Sequence, residues 1–186
     1  MSVSDPYVLP EGLPVPIDDG AADHLTGGAL PDLVLPSSRG AVNVRDFEVL
    51  YVYPRSGRPG RPLLPGWDEI PGARGCTPQS CGFRDHFADL KALGVAHVFG
   101  LSTQDTAYQQ EAATRLHLPF PLLSDAQFQF TRALDLPTFT AAGMELIKRM
   151  VLVIDDGVIA HVFYPVFPPD KSAQDVIDWL QANRGR

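Results

Sequence analysis

Gly75-Cys76-Thr77-Pro78-Gln79-Ser80-Cys81-Gly82-Phe83-Arg84-Asp85 holds both cysteines of a 186-residue chain, five positions apart. Thr77 reads as a helix N-cap and Pro78 as the first helical residue, after which Phe83, Phe87 and Leu90 fall on one helical face. A cysteine at that point meets unpaired backbone N–H groups and the positive end of the helix dipole. Both favour thiolate over thiol, so Cys76 is placed as a nucleophile. Arg74 and Arg84 could add positive charge nearby. On an unbroken helix a five-residue step climbs about 7.5 Å and turns about 140°. A disulfide wants Cα atoms within about 6.8 Å. Cys76 and Cys81 therefore bond only if the first turn or two of the helix unwinds. On spacing alone, two unrelated small buried residues remain an alternative.

Upstream, Val49-Leu50-Tyr51-Val52-Tyr53 is a continuous run of apolar β-formers, as expected for a strand buried on both faces. Pro54 ends it, and residues 55–73 form a Gly/Pro-rich stretch too broken for regular structure, with Trp67 as a packing anchor. Long loops inside a compact domain are usually functional or disordered, and this one sits between the strand and the cysteine helix. Further back, residues 29–44 read as a β-hairpin turning at Gly40, and Asp46 as the start of a short helical turn. Residues 1–28, with prolines at 6, 10, 14 and 16, read as an extended arm over the body or a partly disordered tail.

Downstream, the cysteine helix is expected to run to Leu93 and stop at Gly94. A strand follows over residues 95–102, a helix over 107–116, a short extended segment over 120–125 and a helix over 127–134. Residues 148–154 and 158–164 form a hairpin around Asp155-Asp156-Gly157. Residues 172–183 form an amphipathic helix with Val176, Ile177 and Leu180 facing in. Strands alternating with helices, then a hairpin, predict an α/β fold with a mixed central sheet flanked by helices.

The length predicts one domain. A hydrophobic content of 45% and a charged content of 20% are ordinary for a globular protein. The net charge of -7 argues against nucleic acid or an anionic membrane as partners. No apolar run reaches the roughly 18 residues of a membrane span, and the expected location is cytoplasmic. Two cysteines are too few for a disulfide scaffold, so a close pair in a reducing compartment points to catalysis or metal binding. His86 adds only a third ligand to the cysteines, so no metal is expected. Neither a nucleophile elbow nor a phosphate- or dinucleotide-binding glycine motif occurs.

Taken in order, these segments resemble a peroxiredoxin of the bacterioferritin-comigratory, or peroxiredoxin Q, subfamily. The match comprises Tyr53-Pro54, the cysteine stretch, Leu90-Lys91-Ala92-Leu93-Gly94 and Phe99-Gly100-Leu101-Ser102-Thr103. It continues through Leu122-Leu123-Ser124-Asp125 and Lys148-Arg149, spanning residues 29–180. The resemblance implies a thioredoxin-like fold and a thiol-dependent peroxidase without metal or organic cofactor. It implies Cys76 as peroxidatic and Cys81 as resolving cysteine, joined by an intramolecular disulfide. Arg149 would hold the thiolate and the peroxide oxygens, and Pro54 would shield the pocket. A thioredoxin- or glutaredoxin-like dithiol protein would recycle the disulfide, with the enzyme a monomer or homodimer.

Two departures stand out. Ala73 occupies the position three before the cysteine, where the family pattern has a peroxide-binding threonine. Pro54 lies 22 positions before Cys76 where the pattern has seven, so about 15 residues are inserted. Ser56 is a candidate for the vacant hydroxyl role; Thr77 is adjacent to the sulfur but expected to be occupied as a cap. These departures leave two other functions open: a thiol–disulfide oxidoreductase acting on protein disulfides, and a non-catalytic redox sensor whose cysteine helix unwinds to expose a partner surface.

Overall fold

A computed structural model describes residues 5–184; residues 1–4 of the arm and 185–186 of the domain lie outside it. Nine strands form a seven-stranded mixed sheet and a separate hairpin. In chain order the strands are β1 (Val34–Ser37), β2 (Gly40–Asn43), β3 (Val49–Val52), β4 (Val98–Ser102), β5 (Leu122–Ser124), β6 (Thr138–Ala141), β7 (Met144–Ile147), β8 (Met150–Asp155) and β9 (Val158–Phe163). The helices are α1 (Cys76–Asp85), α2 (Phe87–Ala92), α3 (Thr106–Arg115), α4 (Gln129–Ala133) and α5 (Ser172–Asn183).

The main sheet runs β2-β1-β5-β4-β3-β8-β9, and β6-β7 stands apart. β3 pairs parallel with β4 and antiparallel with β8, and every residue of β3 is buried. Its side chains alternate between two cores, as the two-residue period of a strand requires. Val49, Tyr51 and Tyr53 join Phe83, Leu90, Ala112, Val176 and Leu180 from α1, α2, α3 and α5 on one face. Leu50 and Val52 join Ala22 and Leu25 of the N-terminal arm, Leu30 just after it, and Phe130 of α4 on the other. A β3 that was apolar at every position thus reflects two covered faces, each fully buried aliphatic contributing roughly 1.5–3 kcal/mol.

The arm lies against the body from Asp5 onward. Gly27 N–H donates to Ile159 O and Leu30 N–H to Gly157 O, carrying the arm past the β9 edge. Lys148 Nζ pairs with Asp19 at 2.9 Å, and Tyr164 donates to the same carboxylate at 2.8 Å.

Three local expectations are corrected. The first hairpin begins at Val34, because Ala29 bridges Val158 instead. Asp46 ends a 3-10 turn over Val44–Asp46 that Asn43 caps through its side chain. The cysteine helix bends at His86, which leaves helical geometry at φ -97°, ψ 9°, so α1 and α2 are separate segments. The β6–β7 hairpin, turning at Ala142-Gly143, was not anticipated.

Candidate active site

α1 starts at Cys76, one residue after the β3–α1 loop turns through Gly75 at φ +109°. Left-handed backbone of this kind suits glycine. A Cβ at Gly75 would also overlap Pro169 and lie 2.8 Å from Leu9 Cδ2. Gly75→Ala should therefore cost at least about 2 kcal/mol, seen as a Tm lowered by roughly 4–8 °C in thermal unfolding. An unchanged Tm would show that the arm and the Pro169 turn yield without resistance.

Because Gly75 turns the chain early, Thr77 is not the cap. It is the second helical residue, and Pro78 is the third, where its missing N–H still falls among the helix's unpaired donors. Thr77 is 2% exposed, and its Oγ1 is buried without a hydrogen-bond partner among the described residues. α1 is held to the sheet by Phe83, which stacks on Tyr51 at 4.6 Å between centroids, while Tyr51 donates to Ser80 Oγ at 2.9 Å. Gly100 on β4 makes room for that tyrosine: a Cβ there would sit 2.7 Å from its hydroxyl.

Arg149 occupies the two-residue connection between β7 and β8. It is 4% exposed, and its guanidinium is spent almost entirely on the start of α1. Nε donates to Gly72 O at 3.1 Å, Nη1 to Gln79 Oε1 at 2.6 Å, and Nη2 to Ala73 O at 2.9 Å and Arg74 O at 3.3 Å. Nη2 also lies 3.1 Å from Cys76 Sγ, itself in a residue 3% exposed. Gln79 passes the restraint on, donating to Ser172 Oγ at the head of α5. Sequence reasoning missed Gln79, although its place one helical turn beyond Cys76 puts both on one face.

Cys76 and Arg149 thus converge, with Thr77 next to Cys76 in the chain. Pro54 is buried directly after Tyr53, which shares a core cluster with Cys76. Ser56 is not brought to the sulfur: its hydroxyl donates to Gln104 Oε1 at 3.2 Å and its N–H to the same oxygen at 2.9 Å. Arg74 and Arg84 do not contact Cys76 either. Arg74 pairs with Asp68 at 2.9 Å and donates to the arm carbonyls of Asp5 and Val8, while Arg84 takes Asp85 and Leu116 O. Both cysteines are free. Cys81 is partly buried on α1, and that burial pushes its thiol pKa up despite the Arg84 charge.

A cavity of about 260 Å³ opens against Arg149 and Gly72. Its walls are mainly apolar, with Ile70, Phe139, Pro165 and Val166 from the body and Pro16 and Ile17 from the arm. Trp67 is buried beside Ala73, Ala141 and Leu146, an anchor for the inserted loop.

A buried cysteine at a helix N-terminus, gripped by an arginine against a mixed sheet, is an arrangement of the thioredoxin-like fold. The chain belongs to the redoxin family: a family model described as Redoxin matches residues 26–177. Its relatives by sequence and structure include proteins of the peroxiredoxin Q and Bcp kind. It is 32% identical over 164 residues to peroxiredoxin Bcp of Escherichia coli strain K12, covering 83% of this chain and 94% of the relative. Identity to chloroplastic peroxiredoxin Q of Oryza sativa subsp. japonica is 32% over 162 residues, covering 84% of this chain and 66% of the relative. The chain therefore spans just under two thirds of that plant protein. The crystal structure of peroxidoxin BcpB from Mycobacterium tuberculosis superposes with a TM-score of 0.68 at 27% identity, covering 86% of this chain and 98% of that one.

Proposed function

We propose that this protein is a thiol-dependent peroxidase that reduces hydrogen peroxide and organic hydroperoxides at Cys76. The observation that carries the reading is the 3.1 Å contact between Arg149 Nη2 and Cys76 Sγ. A guanidinium that donates to sulfur stabilises the anionic nucleophile, and the one Nη1 N–H not committed to Gln79 is left to serve the peroxide. Sulfur attacks one peroxide oxygen, the O–O bond breaks, and the second oxygen leaves as water or alcohol after taking a proton. Cys76 becomes a sulfenic acid. Cys81 condenses with it, releasing water and forming the Cys76–Cys81 disulfide. A thioredoxin- or glutaredoxin-like dithiol protein returns both thiols by exchange.

That cycle needs a reducing compartment, which supports a cytoplasmic location. The apolar cavity beside Arg149 supports acceptance of organic hydroperoxides alongside hydrogen peroxide. Pro54 shields the sulfur from bulk water, in keeping with its burial next to Tyr53.

With Ala73 in place of the family threonine and Ser56 committed to Gln104, Thr77 is the hydroxyl left to serve the peroxide. A buried hydroxyl without a partner costs stability unless a ligand completes it. Thr77→Val keeps the shape and removes the donor. It should lower kcat/KM for hydrogen peroxide about tenfold, the worth of one hydrogen bond of roughly 1.4 kcal/mol, while leaving or raising Tm. Unchanged kinetics would remove Thr77 from the site.

The reading as a whole is tested by mixing reduced protein with hydrogen peroxide in stopped flow and digesting the product for mass spectrometry. A rate far above that of a free thiol, with a Cys76–Cys81 linked peptide, is the expected result. A rate equal to a free thiol with hydrogen peroxide and with cumene hydroperoxide would overturn it.

A further inference from the structure

The first half of the inserted loop folds over α3 to enclose a second pocket of about 310 Å³, which shares no lining residue with the cavity beside Arg149. Its size falls at the low end for small-molecule sites. Three arginines line it: Arg55, Arg58 and Arg61. In a chain of net charge -7 such a cluster runs against the overall sign. Like charges held together are mutually destabilising unless something neutralises them.

The protein itself does little of that neutralising. Arg55 and Arg61 form no ion pair and no side-chain hydrogen bond among the described residues. Arg58 Nε comes within 3.2 Å of Glu111 Oε2, close enough for an ion pair but not aligned for a hydrogen bond, and it is buried without a hydrogen-bond partner. Glu111 is also engaged by Arg115, which donates to its Oε1 at 2.7 Å and its Oε2 at 3.4 Å.

Two of the three guanidinium groups are nevertheless held in place. Arg58 lies 4.1 Å over the Tyr108 ring and Arg55 5.7 Å from it. Tyr108 is fixed by donating to Ser56 O at 2.8 Å. Leu63, Leu64 and Trp67 add apolar lining. Guanidinium forks, two of them fixed on Tyr108, lining one pocket together with apolar side chains describe a site for an amphipathic anion.

We propose that this pocket binds a small phosphate monoester with an apolar or aromatic body. Each guanidinium brings up to five donors, whereas a carboxylate offers two oxygens. Three arginines are better matched by the three peripheral oxygens and double charge of a phosphate monoester. Trp67, which lines this pocket, packs with Ala73, whose carbonyl holds Arg149. A bound anion would thus brace the loop whose far end positions the reactive arginine.

Trp67 also supplies the signal. Full-length reduced protein is titrated with phenyl phosphate, with benzoate and with chloride at matched ionic strength, following tryptophan fluorescence. Phenyl phosphate should give a saturable change at least tenfold tighter than benzoate, and chloride none. Arg55→Gln and Arg61→Gln should each weaken phenyl phosphate tenfold or more, with unchanged Tm and unchanged single-turnover rate toward hydrogen peroxide in the absence of the anion. Arg61 is exposed and bonds nothing through its side chain, so its variant carries the test even where one at Arg55 or Arg58 misfolds. A response that does not saturate, one reproduced by chloride, benzoate binding as tightly as phenyl phosphate, or undiminished binding in Arg61→Gln would each overturn the proposal.

Discussion

Cys76→Ser should abolish peroxide-dependent turnover, a loss of at least about 10³-fold, whereas Cys81→Ser should react once and stop as a sulfenic acid. The two outcomes separate because only Cys76 lies under the Arg149 guanidinium, while Cys81 sits five residues on, partly buried on α1. Across an intact helix their Cα atoms are about 7.5 Å apart along the axis and the side chains diverge by about 140°. Condensation therefore requires the start of α1 to come undone. That step breaks the Arg149–Gln79, Gln79–Ser172 and Tyr51–Ser80 hydrogen bonds. It also exposes Cys81, removing the burial that pushes its thiol pKa up. Since the attacking species is the thiolate, disulfide formation should accelerate as pH rises into the alkaline range. Peroxide should be consumed in a distinct earlier phase. Hydrogen exchange at residues 79–81, the first helix-bonded amides of α1, should be slow in the reduced protein and fast in the oxidised one. Persistent protection after disulfide formation would show that the pair closes without unwinding.

The parts of this arrangement that were legible in the sequence are those written in short-range pattern. The all-apolar run at Val49–Tyr53 marked the central strand, and the i, i+1, i+4 spacing of Val176, Ile177 and Leu180 marked the inward face of α5, where all three are buried. Asp156-Gly157 announced the β8–β9 turn. The hairpin of β6 and β7 went unseen because its turn is Ala142-Gly143, and an alanine at φ +47° lacks the asparagine or aspartate signal that such turns usually carry. It matters for function, since Phe139 on β6 walls the cavity beside Arg149. The cap of α1 was misplaced for a related reason: Thr77 has the composition of a cap, but the conformational freedom of Gly75 starts the helix sooner. Ser56 illustrates a different limit. Its proximity to Pro54 along the chain suggested the pocket, but its hydroxyl is claimed by Gln104, 48 residues away, a partner that no local pattern reveals.

Arg149→Met should reduce the rate with hydrogen peroxide by about 10²–10³-fold, the usual cost of removing a positioned donor from a developing oxyanion. Two effects are superimposed in that number, because the same guanidinium also ties Gly72, Ala73 and Arg74 carbonyls to the start of α1. Leaving buried carbonyls without donors costs about 1–3 kcal/mol for each, so Tm should fall as well. Arg149→Lys separates the two. An ammonium keeps the charge but lacks the planar fork, and it cannot serve Gln79, the loop carbonyls and the sulfur together. It should recover part of the rate and little of the loop order. Gln79→Leu approaches from the other side, freeing Nη1 while leaving the arginine in place. A Gln79→Leu rate within twofold of wild type, beside a large loss in Arg149→Met, would show that the arginine acts on sulfur and peroxide directly. Equal losses in both would mean that its work is to hold the loop.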